Sequence, residues 1–136
     1  MTASGTIRRA TGVILGVAAL AGAAAVPADS ASAARRPPAR ALVYAQEWSL
    51  WASRSHVPAG RLIVQLWNRG QDAHDLAIRR LDARGAMVAS AQTVGVAQSG
   101  QLRQATWTLR PGTYELYCTM PGHLKAGMHA RLVVSG

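Results

Sequence analysis

The chain has 136 residues, about half of them apolar, which is one domain's length with enough hydrophobic material for a core. Fourteen Arg and one Lys face only six acidic residues, for a formal net charge of +9, yet the arginines are scattered and no nucleic-acid-binding motif is present, which argues against nucleic acid as a partner. The single Cys cannot form an internal disulfide, so it is a packed hydrophobe, a reactive thiol or a metal ligand.

The N-terminus has the pattern of an export signal. Arg8 and Arg9 precede an uncharged, Ala/Val/Leu-rich run from Gly12 to Val26, Pro27 ends it, and Ala31-Ser32-Ala33 places small residues where a signal peptidase cuts. The apolar run is shorter than the ~20 residues that span a bilayer. Residues 1–33 are therefore expected to be a secretory signal peptide, with the protein working outside the cytoplasm: extracellular, periplasmic or in the cell envelope. Residues 34–40 are Arg- and Pro-rich and are expected to form a disordered lead-in.

From residue 41 onward the sequence reads as short strands. Ala41 to Glu47 alternates, with Leu42 and Tyr44 on one face; Trp48 to Arg54 suggests a second short strand; Pro58-Ala59-Gly60 marks a turn. Arg61 to Trp67 puts Leu62, Val64 and Leu66 on one face, and Asn68-Arg69-Gly70 turns the chain again. His74 to Arg80 is a strand with Leu76 and Ile78 on the side of His74. Residues 83–101 are Gly-, Ala- and Ser-rich, with at most one weak strand around Met87 to Ala89. Leu102 to Leu109 directs Ala105, Trp107 and Leu109 inward, Pro111-Gly112 forms a turn, and Tyr114, Leu116 and Cys118 share a face of the next strand. Leu132 and Val134 close the chain in a last strand. Six to eight short strands separated by turns predict an all-β, antiparallel sandwich over residues 41–136. The four tryptophans are expected in its core.

The chemistry concentrates in Tyr117 to Met128. Cys118, His123 and Met128 place a thiolate, an imidazole and a thioether within eleven residues, on a loop leaving a strand. Two His, one Cys and a weak axial Met make a blue copper site: soft sulfur suits Cu(I), imidazole suits both oxidation states, and a site acceptable to both rearranges little when an electron moves. The loop supplies one His; His74, at the start of its strand after a turn, is placed to supply the second. Met120 competes weakly with Met128, while His56 and His129 are not needed.

The ligand loop, Cys-x4-His-x4-Met with Pro121-Gly122 before His123 and Gly127 before Met128, resembles that of rusticyanin- and sulfocyanin-type cupredoxins. Val57-Pro58-Ala59-Gly60, Asn68-Arg69-Gly70, Ala73-His74-Asp75-Leu76 and Pro111-Gly112-Thr113-Tyr114 resemble other stretches of bacterial cupredoxin domains. The resemblance implies a Greek-key β-sandwich with one copper near its end, a one-electron carrier rather than an enzyme, and transient docking of redox proteins at the apolar surface around His123 and Leu124. The basic charge points to acidic partners, with no small-molecule substrate and a monomeric state. Asp75 stands where many relatives have Asn; a carboxylate there can accept backbone N–H bonds and adds negative charge that favours Cu(II). The competing function is copper sequestration or delivery, which ordinarily uses several Met or exposed Cys ligands. A Cys–His hydrolase would leave Met128 and His74 without a role.

Overall fold

The computed structural model describes residues 36–88 and 92–136. The expected signal segment lies outside the described residues. Among the described residues nine strands form two sheets: β1 (Ala39–Gln46), β2 (Ser49–Ala52), β4 (Gly60–Asn68) and β7 (Leu102–Leu109) lie in the order β2-β1-β4-β7, and β3 (His56–Pro58), β9 (His129–Ser135), β8 (Gly112–Tyr117), β5 (Ala77–Leu81) and β6 (Gln92–Thr93) in the order β3-β9-β8-β5-β6. The sandwich is as expected, but its pairing is mixed. β1 runs parallel to β4, and β3 parallel to β9. The chain leaves the first sheet after β2, contributes β3 to the second, and returns as β4. A crossover of this kind brings β4 alongside β1 in the same direction, where a direct hairpin would reverse it.

Alternation decides the core. Val43, Ala45, Leu62, Val64 and Leu66 from the first sheet meet Ile78, Leu116, Leu132 and Val134 from the second, and Trp107 closes the middle. Each of the larger side chains contributes about 1.5–3 kcal/mol by leaving water. The Tyr114 hydroxyl donates to the Arg110 carbonyl at 2.9 Å and ties down the β7–β8 corner.

Several boundaries and the placement of three tryptophans differ from expectation, while Leu42 and Tyr44 share a face as expected. β1 begins at Ala39, so the last two residues of the expected lead-in pair with β4, Ala39 opposite Leu62 and Arg40 opposite Ile63. On β1 it is the small residues Ala41, Val43 and Ala45 that face the core, while Leu42 and Tyr44 face outward. Leu62 and Trp107, further along the same sheet, already supply bulk to this layer of the core, and β1 adds small side chains beside them. Trp107 alone is a core tryptophan; Trp48, Trp51 and Trp67 are 48%, 61% and 36% exposed. Trp51 and Trp67 lie opposite Tyr44 on its two neighbouring strands, and their rings pack on it at centroid distances of 5.3 and 5.7 Å. This cross-strand contact retains part of the benefit of burial on the outer face. The weak strand expected around Met87 is a single bridge, Leu81 to Met87, and the short strand of this region is β6.

Candidate metal centre

The centre lies where β4, β5 and β8 deliver their ends. His74 is not within β5, as expected, but three residues before it, in an isolated antiparallel bridge with Ala97: the His74 amide donates to the Ala97 carbonyl at 3.1 Å, and the Ala97 amide donates back at 2.7 Å. Both its main-chain groups are thus held and its side chain is fully buried. Asn68, also fully buried, fixes the approach. Its side-chain amide donates to the carbonyls of Asp72 (2.7 Å) and Ala97 (2.9 Å), while its Oδ1 accepts the Gly70 N–H (2.9 Å). One side chain therefore knots the turn before His74 to the segment opposite it. Every polar atom of the buried amide is satisfied, as burial requires.

Cys118 follows the last residue of β8 and is completely buried. Its amide donates to the Met128 carbonyl at 3.1 Å, and the Met128 amide donates to the His123 carbonyl at 3.0 Å, so the loop from 118 to 128 is closed at its base and again at its middle. Gly127 has φ +114°, a conformation that side chains with a Cβ resist, and a Cβ there would also press on the Trp48 carbonyl at 3.3 Å. Met128 is fully buried beside this closure, and His123 is partly exposed.

The structure brings three donor groups together. His74 Nδ1 lies 3.2 Å from His123 Nδ1, His123 Nδ1 lies 3.4 Å from Cys118 Sγ, and one ligand atom from each of the three residues falls within 4.8 Å of the others. One ion at about 2.0 Å from two imidazole nitrogens and about 2.3 Å from a thiolate would separate those atoms by roughly 3.5 Å in a trigonal arrangement, so the donor set fits a metal with little movement. Burial pushes the Cys118 thiol above its ordinary pKa of 9.0, with the Asp75 carboxylate adding to the shift and two backbone hydrogen bonds opposing it. A cation would reverse this, because it binds the thiolate.

Asp75 behaves as the sequence suggests. It is 7% exposed and accepts the Thr119 N–H at 2.6 Å and the Thr119 hydroxyl, binding the His74 segment to the residue after Cys118. His56 and His129 are exposed and stand apart from the cluster, His129 Nδ1 lying 3.5 Å from Glu115. Two neighbours were not foreseen. Trp48 meets the His123 ring edge-on at 5.0 Å, and Glu47 Oε1 lies 2.9 Å from His74 Nε2. Both come from the β1–β2 turn, and no local pattern around residues 47 and 48 marks them; only the fold carries that turn to the site.

The two-sheet fold, with His, Cys and His gathered at one end, is cupredoxin-like. Residues 79–136 match the sulfocyanin (SoxE) domain family. Auracyanin B superposes with a TM-score of 0.58 at 20% identity, covering 75% of this chain and 93% of its own. Auracyanin A, a "blue" copper protein from Chloroflexus aurantiacus, gives a TM-score of 0.58 at 18% identity over 73% and 100% of the two chains. Rusticyanin from Thiobacillus ferrooxidans gives 0.57 at 18% identity over 71% and 76%. No curated protein matches by sequence. At these identities the superpositions speak for the fold, and the sulfocyanin match covers the C-terminal part of the chain, which carries Cys118, His123 and Met128 but not His74.

Proposed function

We propose that this chain is a mononuclear blue copper protein that carries one electron at a time outside the cytoplasmic membrane. His74 and His123 through Nδ1 and Cys118 through Sγ would be the three strong ligands, with Met128 the weak axial one. Copper held by such a set cycles between Cu(I) and Cu(II). The observation that carries the reading is the convergence of the two Nδ1 atoms and the sulfur within 3.2–3.4 Å contacts on a backbone already tied at His74, Cys118 and Met128. A site assembled before the metal arrives needs little reorganisation on electron transfer. Auracyanin A, of the same fold, is described as a blue copper protein.

His123 is the one strong ligand that reaches the surface, flanked by Trp48 and Leu124. Beside it, an open depression of about 600 Å³ is lined by residues that include Met120, Pro121 and Leu124. Redox partners would dock there, acidic ones given the net charge of +9, and the electron would pass through the His123 edge. Export rests on Arg8-Arg9, the apolar run to Val26 and the Ala31-Ser32-Ala33 cleavage signal.

The test is an optical and EPR spectrum after addition of one equivalent of Cu(II). An intense blue or green thiolate-to-copper band, bleached on reduction and absent in Cys118→Ser, is the expected result. A colourless protein that retains Cu(I) tightly would move the function to copper sequestration or delivery. Failure to retain copper in either state would overturn both.

A further inference from the structure

Glu47 lies 27 residues before His74, yet its carboxylate packs directly behind the buried imidazole. Oε1 sits 2.9 Å from His74 Nε2 and accepts the Asp72 N–H at 2.8 Å. The carboxyl group occupies space left by Gly70: a Cβ at that position would stand 2.6 Å from the Glu47 carboxyl carbon, an overlap that Ala could not accommodate without displacing it. Three elements thus hold the carboxylate: the β1–β2 turn that carries it, the Asp72 amide that donates to it, and the notch at Gly70 that admits it. Because Oε1 already accepts the Asp72 N–H, and a carboxylate oxygen has no proton to donate, it can only accept from His74 as well.

A neutral imidazole carries one proton and one lone pair on its two nitrogens, and the partner of one nitrogen decides the state of the other. Nε2 of His74 faces an obligate acceptor, whereas Nδ1 faces His123 Nδ1 and the space that Cys118 Sγ also borders. The proton therefore belongs on Nε2, and the lone pair on Nδ1 points to where the other two donor atoms converge. We infer that Glu47 is a positioning residue for the metal centre, which locks His74 into the Nε2–H tautomer in the metal-free protein and, through its negative charge, favours the oxidised state of the bound ion. The first half stands on the geometry alone; the second rests on the copper function proposed above. A carboxylate that accepts from a ligand imidazole makes the ring a stronger donor, and outer partners of this kind typically change metal affinity about 10–100-fold.

The tautomer is read directly by long-range ¹H–¹⁵N correlation spectra of the metal-free, ¹⁵N-His-labelled chain at neutral pH. Wild type should show His74 solely as Nε2–H. Glu47→Leu should populate Nδ1–H, and Gly70→Ala, which keeps the Glu47 side chain but pushes its carboxylate out of the notch, should do the same. Glu47→Gln keeps an acceptor oxygen and should retain Nε2–H. In the copper-loaded protein, Glu47→Gln should raise the ratio of Cu(I) to Cu(II) affinity about tenfold, which is about 59 mV in potential for one electron. An unchanged His74 tautomer in both Glu47→Leu and Gly70→Ala would overturn the positioning role. A Glu47→Gln affinity ratio within about twofold of wild type would overturn the charge effect. A chain that takes up no copper would refute the copper function while leaving the tautomer result to stand or fall by itself.

Discussion

Asp75→Ala should cost the metal-free protein about 2–3 kcal/mol. Asp75 accepts two hydrogen bonds from Thr119, one from the backbone N–H and one from the hydroxyl, and together they join the His74 segment to the Cys118 loop. A hydrogen bond to a charged acceptor is worth about 1.5–3 kcal/mol when the partner is left stranded. Thr119 is exposed, so water can reach its freed hydroxyl, and that bond counts for less, about 0.5–1 kcal/mol. Urea denaturation of wild type, Asp75→Ala, Thr119→Val and the double variant would measure the total and, by the cycle, isolate the hydroxyl bond, with a coupling of about 0.5–1.5 kcal/mol. For a domain of this size the single Ala variant should also melt about 10–20 °C lower. Asp75→Asn keeps an acceptor for the amide N–H, so it should lose about half as much, and with copper bound its potential should rise because a negative charge next to the thiolate is gone. An Asp75→Ala loss under about 0.5 kcal/mol, or a coupling indistinguishable from zero, would refute the idea that this carboxylate binds the two ligand segments together.

Leu116→Ala should destabilise by about 2–5 kcal/mol in the same assay, since the side chain is buried between the sheets next to the centre. Tyr114→Phe, which strands the Arg110 carbonyl at the β7–β8 corner, should cost about 1 kcal/mol. Because the Cys118 thiol titrates above its ordinary value and is fully buried, iodoacetamide should alkylate it slowly at pH 7 in the metal-free protein, and Zn(II) or Cu(II) uptake, which must expel its proton, should strengthen by about tenfold per pH unit below that pKa in competition titrations. Glu47 has the opposite sign: its folded pKa of about 2 lies below the ordinary 4.5, so its stabilisation is complete above pH 4.5 and fades as pH falls towards 2. Denaturation curves of wild type and Glu47→Gln should accordingly converge on acidification.

The candidate ligand loop is legible in the chain because its residues are neighbours. Cys118, His123 and Met128 sit on one connection whose length and Pro/Gly content bend it back on itself, and the strand before it alternates plainly through Tyr114 and Leu116. The inward face of β4 is equally plain, since Leu62, Val64 and Leu66 follow the period of a half-buried strand. On β1 the alternation shows that Leu42 and Tyr44 share a face but not which face is inward: Ala41, Val43 and Ala45 are buried beside the bulkier Leu62 and Trp107 of the same sheet, and Leu42 and Tyr44 are turned out. The tryptophans mislead for a related reason. Their size suggests burial, but Trp51 and Trp67 reach partial shelter by packing on Tyr44 across neighbouring strands, a pairing that depends on register.

Local order along the chain thus carries most of the strands, though fewer than the nine observed, and the sandwich, because strand period and turn residues are short-range properties, as is the spacing of Cys118 and His123. What surrounds His74 is not short-range. Its bridge to Ala97, the Asn68 knot and the carboxylate of Glu47 join segments far apart in the chain: the first two lie where β4 pairs with β7, and Glu47 follows β1, which pairs with β4 in parallel. Both pairings follow from how two sheets share one chain, and together they set which side chains stand behind the candidate ligands.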